Sequence, residues 1–512
     1  MILVPVLFGF YSVGLGQDIN WDLKNYHLYN PFSYINSRLN VDLAPAGMQT
    51  YFNPFLDLAY FHAISALSPK TVGFLIGCIQ GLSFIFIYKI SSQILGKGRD
   101  IYALVAALAG ILSVGFLSEV GTTLHDSLVG VISLASLWLV MSAIRYSVAN
   151  DQHRYVTLMG IAGLLIGVAC GLKLVFAIYA LAMSIGLLFI PNNWTDRIKI
   201  ASFFGICAFS GFLLVGGYWL YKIWLEFGNP LFPQFNNIFH GELAISEPIR
   251  DIRFLPKDIY EKVFYPAIFT TDPLRVGELH FRQINWIFGY VALLALGCDA
   301  VFRKRNAGPT RIAELELVFF ISYFSIAYLL WLNLFGIYRY LIPLEVLIPL
   351  LIFIAINRFL KSSVKYFLGG VFVLSITLAN LKGAPDWGHS DWADTVFRAD
   401  PSLLTDSPEP AAVYLVGQPL AWIIPALNIS APFIQLNPNM PVTNSYWEKA
   451  SDLTKERVGR SFAIFEAPDS NLLSLAKNNL TKMGLVLDES VCSYLVVYLG
   501  ASRHEYRFCE VS

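Results

Sequence analysis

Residues 124–146 read LHDSLVGVISLASLWLVMSAIRY. Between Asp126 and Arg145 no ionisable side chain interrupts the run. A helix needs about 17–25 mostly apolar residues to cross a bilayer, and this segment has that length. Similar runs lie near 1–16, 71–95, 101–118, 155–171, 173–191, 200–224, 284–302, 312–334, 338–357 and 364–381. The pattern predicts an α-helical polytopic membrane protein with about eleven spans. The first run lacks the basic flank and cleavage site of a signal peptide, so it reads as a span.

Composition supports this reading. Of 512 residues, 56% are hydrophobic and 14% charged, and mean hydropathy is +0.56. Soluble domains carry about 25% charged residues, so a soluble enzyme of ordinary composition and a disordered chain are both excluded. Thirty-six basic and 36 acidic residues cancel. A net charge of zero gives no reason to expect a nucleic-acid partner.

The loops alternate in charge. One set carries Lys97, Arg99, Arg145, Arg154, Arg197, Lys199, Arg303, Lys304, Arg305, Arg311, Arg358, Lys361 and Lys365; the other is neutral or acidic. The positive-inside rule puts the basic set in the cytoplasm, with the N-terminus inside and the C-terminus outside, in a cell inner membrane. Outer loops 17–70 and 225–283 and an extracytoplasmic tail then share one side. The chain divides into a transmembrane module, 1–382, and a tail domain, 383–512. Gly73, Gly77 and Gly81, and again Gly163, Gly167 and Gly171, repeat at G-x-x-x-G spacing, which suits close helix contact.

The first outer loop reads QDINWDLKNYHLYNPFSYINSRLNVDLAPAGMQTYFNPFLDLAYF. Met48, Tyr51, Phe52, Phe55, Leu56 and Ala59 recur as one helical face, disturbed by Pro54; Tyr26, Tyr29 and Phe32 form a weaker stripe. Such a helix lies in the membrane interface. Asp18, Asp22, His27 and Asp42 enter this surface. Asp22, four residues before Tyr26 and walled by Trp21, Tyr26 and Tyr29, would be partly desolvated and able to act as a general base. The competing reading is that Asp18 or Asp22 caps a helix.

Glu119, His125 and Asp126 bracket the turn before residues 124–146. They either start that helix or form a second acidic cluster, in which Asp126 and Glu119 would hold magnesium or manganese. Lys173 ends a helix in GLKLVF, and Arg339 and Tyr340 open FGIYRYLIP, with Glu345 deeper. Ionisable groups in spans suggest function. A guanidinium at headgroup level would grip a lipid phosphate. The alternatives are snorkelling for Lys173 and an Arg339–Glu345 pair.

Trp21, Asp22, Tyr26 and His27, in the pattern W-D-x-x-x-Y-H after a first span, resemble the opening of bacterial GT-C glycosyltransferases of the protein O-mannosyltransferase and aminoarabinose-transferase type. His125-Asp126, the G-x-x-x-G-L-K segment ending at Lys173, and Arg339, Tyr340, Leu341 and Pro343 are similar to later motifs of that family. The resemblance covers about 1–360. It implies a polyprenyl-phosphate sugar as donor and a glycan, lipid or protein acceptor. Asp22 would be the base, with Tyr26, His27, Glu119, His125 and Asp126 positioning substrates and Arg339, Tyr340 and Lys173 binding the lipid phosphate. Leu23 stands where several relatives carry a second acid.

In the tail, AAVYLVG, FAIFEA, CSYLVVYL and EYRFCEV read as strands and LLSLAKNNLTKMG as an amphipathic helix, making a small α/β domain. Cys492 and Cys509 fall on neighbouring strands, so a disulfide is expected if the tail is outside. The leading expectation is a glycosyltransferase inverting by single displacement. A secondary transporter or flippase is the alternative, kept open by Glu345.

Overall fold

A computed structural model describes residues 1–149, 151–190, 193–302, 312–361, 364–399, 410–427, 429–455, 457–466 and 470–512. Arg303, Lys304, Arg305 and Arg311 of the expected basic loops lie outside the described residues.

Among the described residues, six helices are long and apolar enough to cross a membrane: Pro69–Leu95, Asp126–Val148, Gln152–Leu172, Trp194–Phe227, Ile312–Leu334 and Lys365–Gly383. Tyr338–Glu345 with Ile348–Phe359 makes a seventh, bent by 48°. Pro343 and Pro349 sit in the first turns of the helices Ile342–Glu345 and Ile348–Phe359, where the missing donor interrupts a continuous helix. Leu3–Leu15, Asp100–Ile111, Leu174–Leu187 and Asn285–Asp299 are apolar but shorter. By length and composition, six or seven spans are found among the described residues, and the eleven expected are not confirmed. Leu3–Leu15 has 13 residues, and at 1.5 Å per residue it rises about 20 Å against a core of about 30 Å. The run 101–118 breaks between Ile111 and Val114. The run 173–191 starts on an extended Lys173 and a single 3-10 turn.

Both glycine series lie where helices touch. A Cβ at Gly77 would meet the Phe8 carbonyl and Ser12, and one at Gly167 would run into the Ala208 carbonyl. These are the contacts that only small residues permit. Along Trp194–Phe227, Ile206, Phe209 and Leu214 remain exposed, an apolar face suited to lipid.

The tail carries a mixed sheet. Its strands are Phe397–Ala399 (β3), Ala412–Leu415 (β4), Phe433–Gln435 (β5), Ser461–Glu466 (β6), Leu487–Leu499 (β7) and Ser502–Val511 (β8), in the order β3-β7-β8-β6-β4-β5. Gln17–Asp18 (β1) and His389–Ser390 (β2) pair separately and antiparallel. Four of these strands, β4, β6, β7 and β8, fall on the expected segments, with Ser470–Lys482 as the expected helix, whereas β3 and β5 were not expected. Cys492 and Cys509 are cross-strand partners on β7 and β8, joined by a disulfide with Cα atoms 4.1 Å apart.

The tail shares its interior with the first loop. Leu23, Leu28 and Tyr29 pack in one apolar cluster with Val413, Trp422 and Phe433. Arg38 binds Asp42 through two contacts of 2.7 Å and donates to the carbonyls of Ile429 and Ala431. Asp42 also accepts from the Phe433 amide at 2.8 Å. The expected single aromatic helix around Pro54 is two pieces, the 3-10 turn Gly47–Tyr51 and the helix Phe55–Ala66. The loop 225–283 is seated on the helix ends, where Val276 O accepts from the Tyr338 amide at 2.7 Å.

Candidate active site

Four segments meet at one end of the bundle. Asp22 precedes a π-helical turn, Leu23–His27. His125 and Asp126 start the helix Asp126–Val148. Lys173 follows the helix Gln152–Leu172. Arg339 and Tyr340 lie in the 3-10 turn Tyr338–Leu341, where the bent span begins. This is the end opposite Arg145, which lies about 30 Å along the helix from Asp126. There Arg145 pairs with Glu316 at 2.5 Å and donates to the Gln93 carbonyl.

Arg339 Nη1 donates to Asp22 Oδ2 at 2.6 Å, and its Nε lies 3.9 Å from Asp126 Oδ2. Lys173 Nζ stands 2.6 Å from Asp126 Oδ1 and donates to the Leu124 carbonyl at 2.7 Å. The carboxylates of Asp22 and Asp126 are 9% and 1% exposed, while Arg339 and Lys173 are 19% and 16% exposed. The network therefore opens to the outside on its cationic side. Arg339 also lies over the rings of Tyr340 and Trp387, and Lys173 over Tyr340. The Tyr340 carbonyl accepts from the Tyr179 hydroxyl at 2.5 Å, which fixes this turn.

Asp22 makes no cap hydrogen bond. The cap at this helix start is Asn20, whose Oδ1 accepts from the Leu23 amide at 2.8 Å, while Asp18 accepts from the Asn20 and Thr123 amides at 3.0 and 2.8 Å and caps no helix. Burial pushes the Asp22 carboxyl up, but the Arg339 guanidinium, joined by Lys173, outweighs it and holds the group below the usual aspartate range. Of the three aromatic walls expected, only Tyr26 reaches Asp22, with its hydroxyl 3.5 Å from Oδ2. Trp21 is exposed, and the Tyr29 hydroxyl goes to Asp42.

Glu119 is fully buried and accepts from the Ser127 amide at 2.8 Å, closing the start of the helix Asp126–Val148. The expected magnesium or manganese site on Asp126 and Glu119 meets an obstacle: Lys173 and Arg339 already neutralise Asp126. The Arg339–Glu345 pair does not form. Glu345 is buried and accepts instead from the Tyr338 hydroxyl at 2.6 Å and the Gly115 amide at 3.1 Å. Glu345 thus ties the bent span to the helix Val114–Glu119.

Sequence reasoning missed Asp57. It lies in the first turn of the helix Phe55–Ala66, 2.7 Å from His27 Nδ1 and 3.2 Å from His125 Nε2. Burial pushes its carboxyl up to about 7, with His125 and Lys173 opposing. His27 is driven down to about 3 by burial, against the pull of Asp22, and is neutral. A lone acid within an apolar helical run was the available signal. Trp387, which belongs to none of the motifs, lies against the Arg339 guanidinium and donates to Ser118 Oγ at 3.2 Å.

No family model matches the chain, and no curated protein matches its sequence. Solved structures are similar to it, and two of them are matched over nearly its whole length. The first is ArnT from Cupriavidus metallidurans bound to undecaprenyl phosphate, with 12% identity, a TM-score of 0.52, and coverage of 99% of this chain and 97% of that one. The second is the same protein in the apo state, with 13% identity, a TM-score of 0.47, and coverage of 99% and 96%. By the first of these likenesses the chain has the fold of ArnT.

Proposed function

We propose, on the premise of a fold shared with ArnT, that this chain is an integral-membrane glycosyltransferase. It moves a sugar from a polyprenyl-phosphate donor to an acceptor hydroxyl at the membrane surface, on the extracytoplasmic side. The observation that carries the proposal is the Asp22–Arg339 contact of 2.6 Å, with Asp126 and Lys173 beside it. A base and two cations stand together where lipid-borne phosphate would arrive.

The two cations are the partly exposed members of the network, so the donor phosphate meets Arg339 and Lys173 first. A guanidinium offers paired donors to phosphate oxygens. As the phosphate takes Arg339, Asp22 loses its main counter-charge and becomes a stronger base. The acceptor oxygen then attacks the anomeric carbon, and its proton passes to Asp22. The bond from that carbon to the phosphate oxygen breaks, leaving polyprenyl phosphate with the electron pair. Arg339 and Lys173 stabilise the charge that builds on the leaving phosphate. One displacement inverts the anomeric centre. The donor arrives by lateral diffusion, so no nucleotide-binding loop is required.

The deciding experiment is sugar transfer from a purified polyprenyl-phosphate donor by Asp22→Asn, with membrane insertion checked in parallel. Transfer should fall by about 10²–10⁴-fold, the usual contribution of a general base. Undiminished transfer would refute the role of Asp22. Uptake of substrate into vesicles by wild-type protein, without transfer, would favour a transporter.

A further inference from the structure

Beside the proposed transfer site lies a second cluster with different chemistry. His27, Asp57 and His125 offer one ligand atom each, all within 4.8 Å of one another. The two imidazole rings stand 4.2 Å apart by centroid, in edge-to-face contact. His27 is fully buried and Asp57 is 2% exposed. The three side chains come from three separate segments, and the backbone is bent to bring them together. His125 has φ 70°, the left-handed region, which a non-glycine residue adopts only at an energetic cost. His27 ends a π-helical turn, a geometry often found at functional sites.

Two observations point to a ligand rather than to packing. First, His27 Nε2 is buried with no hydrogen-bond partner, although buried polar atoms are normally satisfied. Second, Asp57 has no lysine or arginine partner among the described residues. Its ion-pair contacts are the two imidazoles alone, while Arg339 and Lys173 are engaged by Asp22 and Asp126. A buried carboxylate is normally paired with a cation or bound to a metal.

We infer that His27, Asp57 and His125 form a binding site for a borderline transition-metal dication of the zinc type. Two imidazole nitrogens and one carboxylate oxygen suit zinc, cobalt or nickel rather than magnesium, which prefers oxygen ligands. Three protein ligands leave a fourth tetrahedral position for water or a substrate oxygen. Zinc ligands at about 2.0–2.2 Å from the ion would stand a little over 3 Å apart. The present separation of 3.2 Å between His125 Nε2 and Asp57 Oδ1 is already close to that spacing, and one ligand atom from each of the three side chains lies within 4.8 Å of the others. The ion would clamp the turn that carries Asp22 to the helix start that carries Asp126, and would supply the counter-charge that Asp57 lacks. The site stands whether or not the chain transfers a sugar.

The test uses full-length protein in detergent, stripped with chelator and titrated with cobalt(II) or zinc(II) alone. Bound metal is counted by elemental analysis, and the cobalt ligand-field bands report coordination. Wild type should hold about one equivalent per chain with tetrahedral-type bands. Asp57→Asn and His125→Gln, with native elution and melting as fold controls, should bind at least about tenfold more weakly. Asp22→Asn should bind one equivalent as wild type does, which separates this site from the transfer reading. Less than about a tenth of an equivalent in wild type would overturn the inference. Wild-type affinity in both ligand variants would also overturn it, since the ion would then sit elsewhere.

Discussion

Arg339 Nη1 and Asp22 Oδ2 stand 2.6 Å apart across 317 residues of sequence. Each is thereby held away from its proposed task, the guanidinium from phosphate and the carboxylate from a hydroxyl proton. Donor binding would exchange one partner for the other. A distinctive pH dependence follows. Without donor, Arg339 keeps the Asp22 carboxyl below the usual aspartate range despite burial. The acid limb of kcat/KM, which reports the free enzyme, should therefore lie below the limb of kcat, which reports the complex. Coincident limbs would remove the exchange. The stability term has a definite sign. A carboxyl whose folded pKa is depressed stabilises the fold above its ordinary value of about 3.9, and this contribution fades as pH falls through the folded value.

Substitution of Arg339 separates charge from geometry. Arg339→Lys keeps a cation beside Asp22 and Asp126 but loses the planar fork. It should insert and melt near wild type, while kcat drops by about 10²–10³-fold, the scale of one lost charge-stabilising donor. Arg339→Met leaves Asp22 buried without its partner and should cost about 3–5 kcal/mol of stability. Transfer kinetics and thermal melting together check both outcomes. Equal kcat in Arg339→Lys and wild type would exclude phosphate stabilisation by the guanidinium.

Legibility in the sequence followed the physics of each feature. Apolar length showed a polytopic helical chain, but it could not show breaks. The turn at Lys173 and the bend near Pro343 sit inside runs that remain apolar throughout. Asp22, Asp126, Lys173 and Arg339 were readable because an ionisable group beside a bilayer is costly wherever it lies. Their pairing was not readable, since contacts over hundreds of residues leave no local spacing. Asp57 illustrates the limit. Its partners His27 and His125 lie 30 and 68 positions away in sequence, and only the fold brings the three together. Four of the tail strands were visible as apolar segments, whereas the three-residue strands β3 and β5, and the common core with Leu23, Leu28 and Tyr29 of the first loop, were not.

That common core makes the first loop depend on the tail. Arg38 donates to the Ile429 and Ala431 carbonyls while paired with Asp42, and Asp42 accepts from the Phe433 amide. Arg38→Met should destabilise the protein by about 3–5 kcal/mol, because Asp42 stays buried without its cation. The double variant Arg38→Met with Asp42→Asn should recover part of that loss, since no charge is then stranded. Melting of the two variants checks this, and equal losses in both would show that the pair contributes little.

The disulfide offers an independent handle on the tail. Cys492 and Cys509 close a loop with a sequence separation of 17, while Cys78, Cys170, Cys207 and Cys298 are free. Denatured protein should react with four equivalents of thiol reagent before reduction and six after it. A bridge of this loop length contributes about 2–4 kcal/mol by restricting the unfolded chain. Cys492→Ser with Cys509→Ser should therefore lower the melting temperature of the tail. The bridge joins β7 to β8 within the sheet and makes no contact with Asp22 or Arg339, so donor turnover at low temperature should persist. Six reactive thiols before reduction would disprove the bridge. Loss of turnover in a variant that still melts cooperatively would mean that the sheet supports the first loop more directly than the shared core with Leu23 and Tyr29 implies.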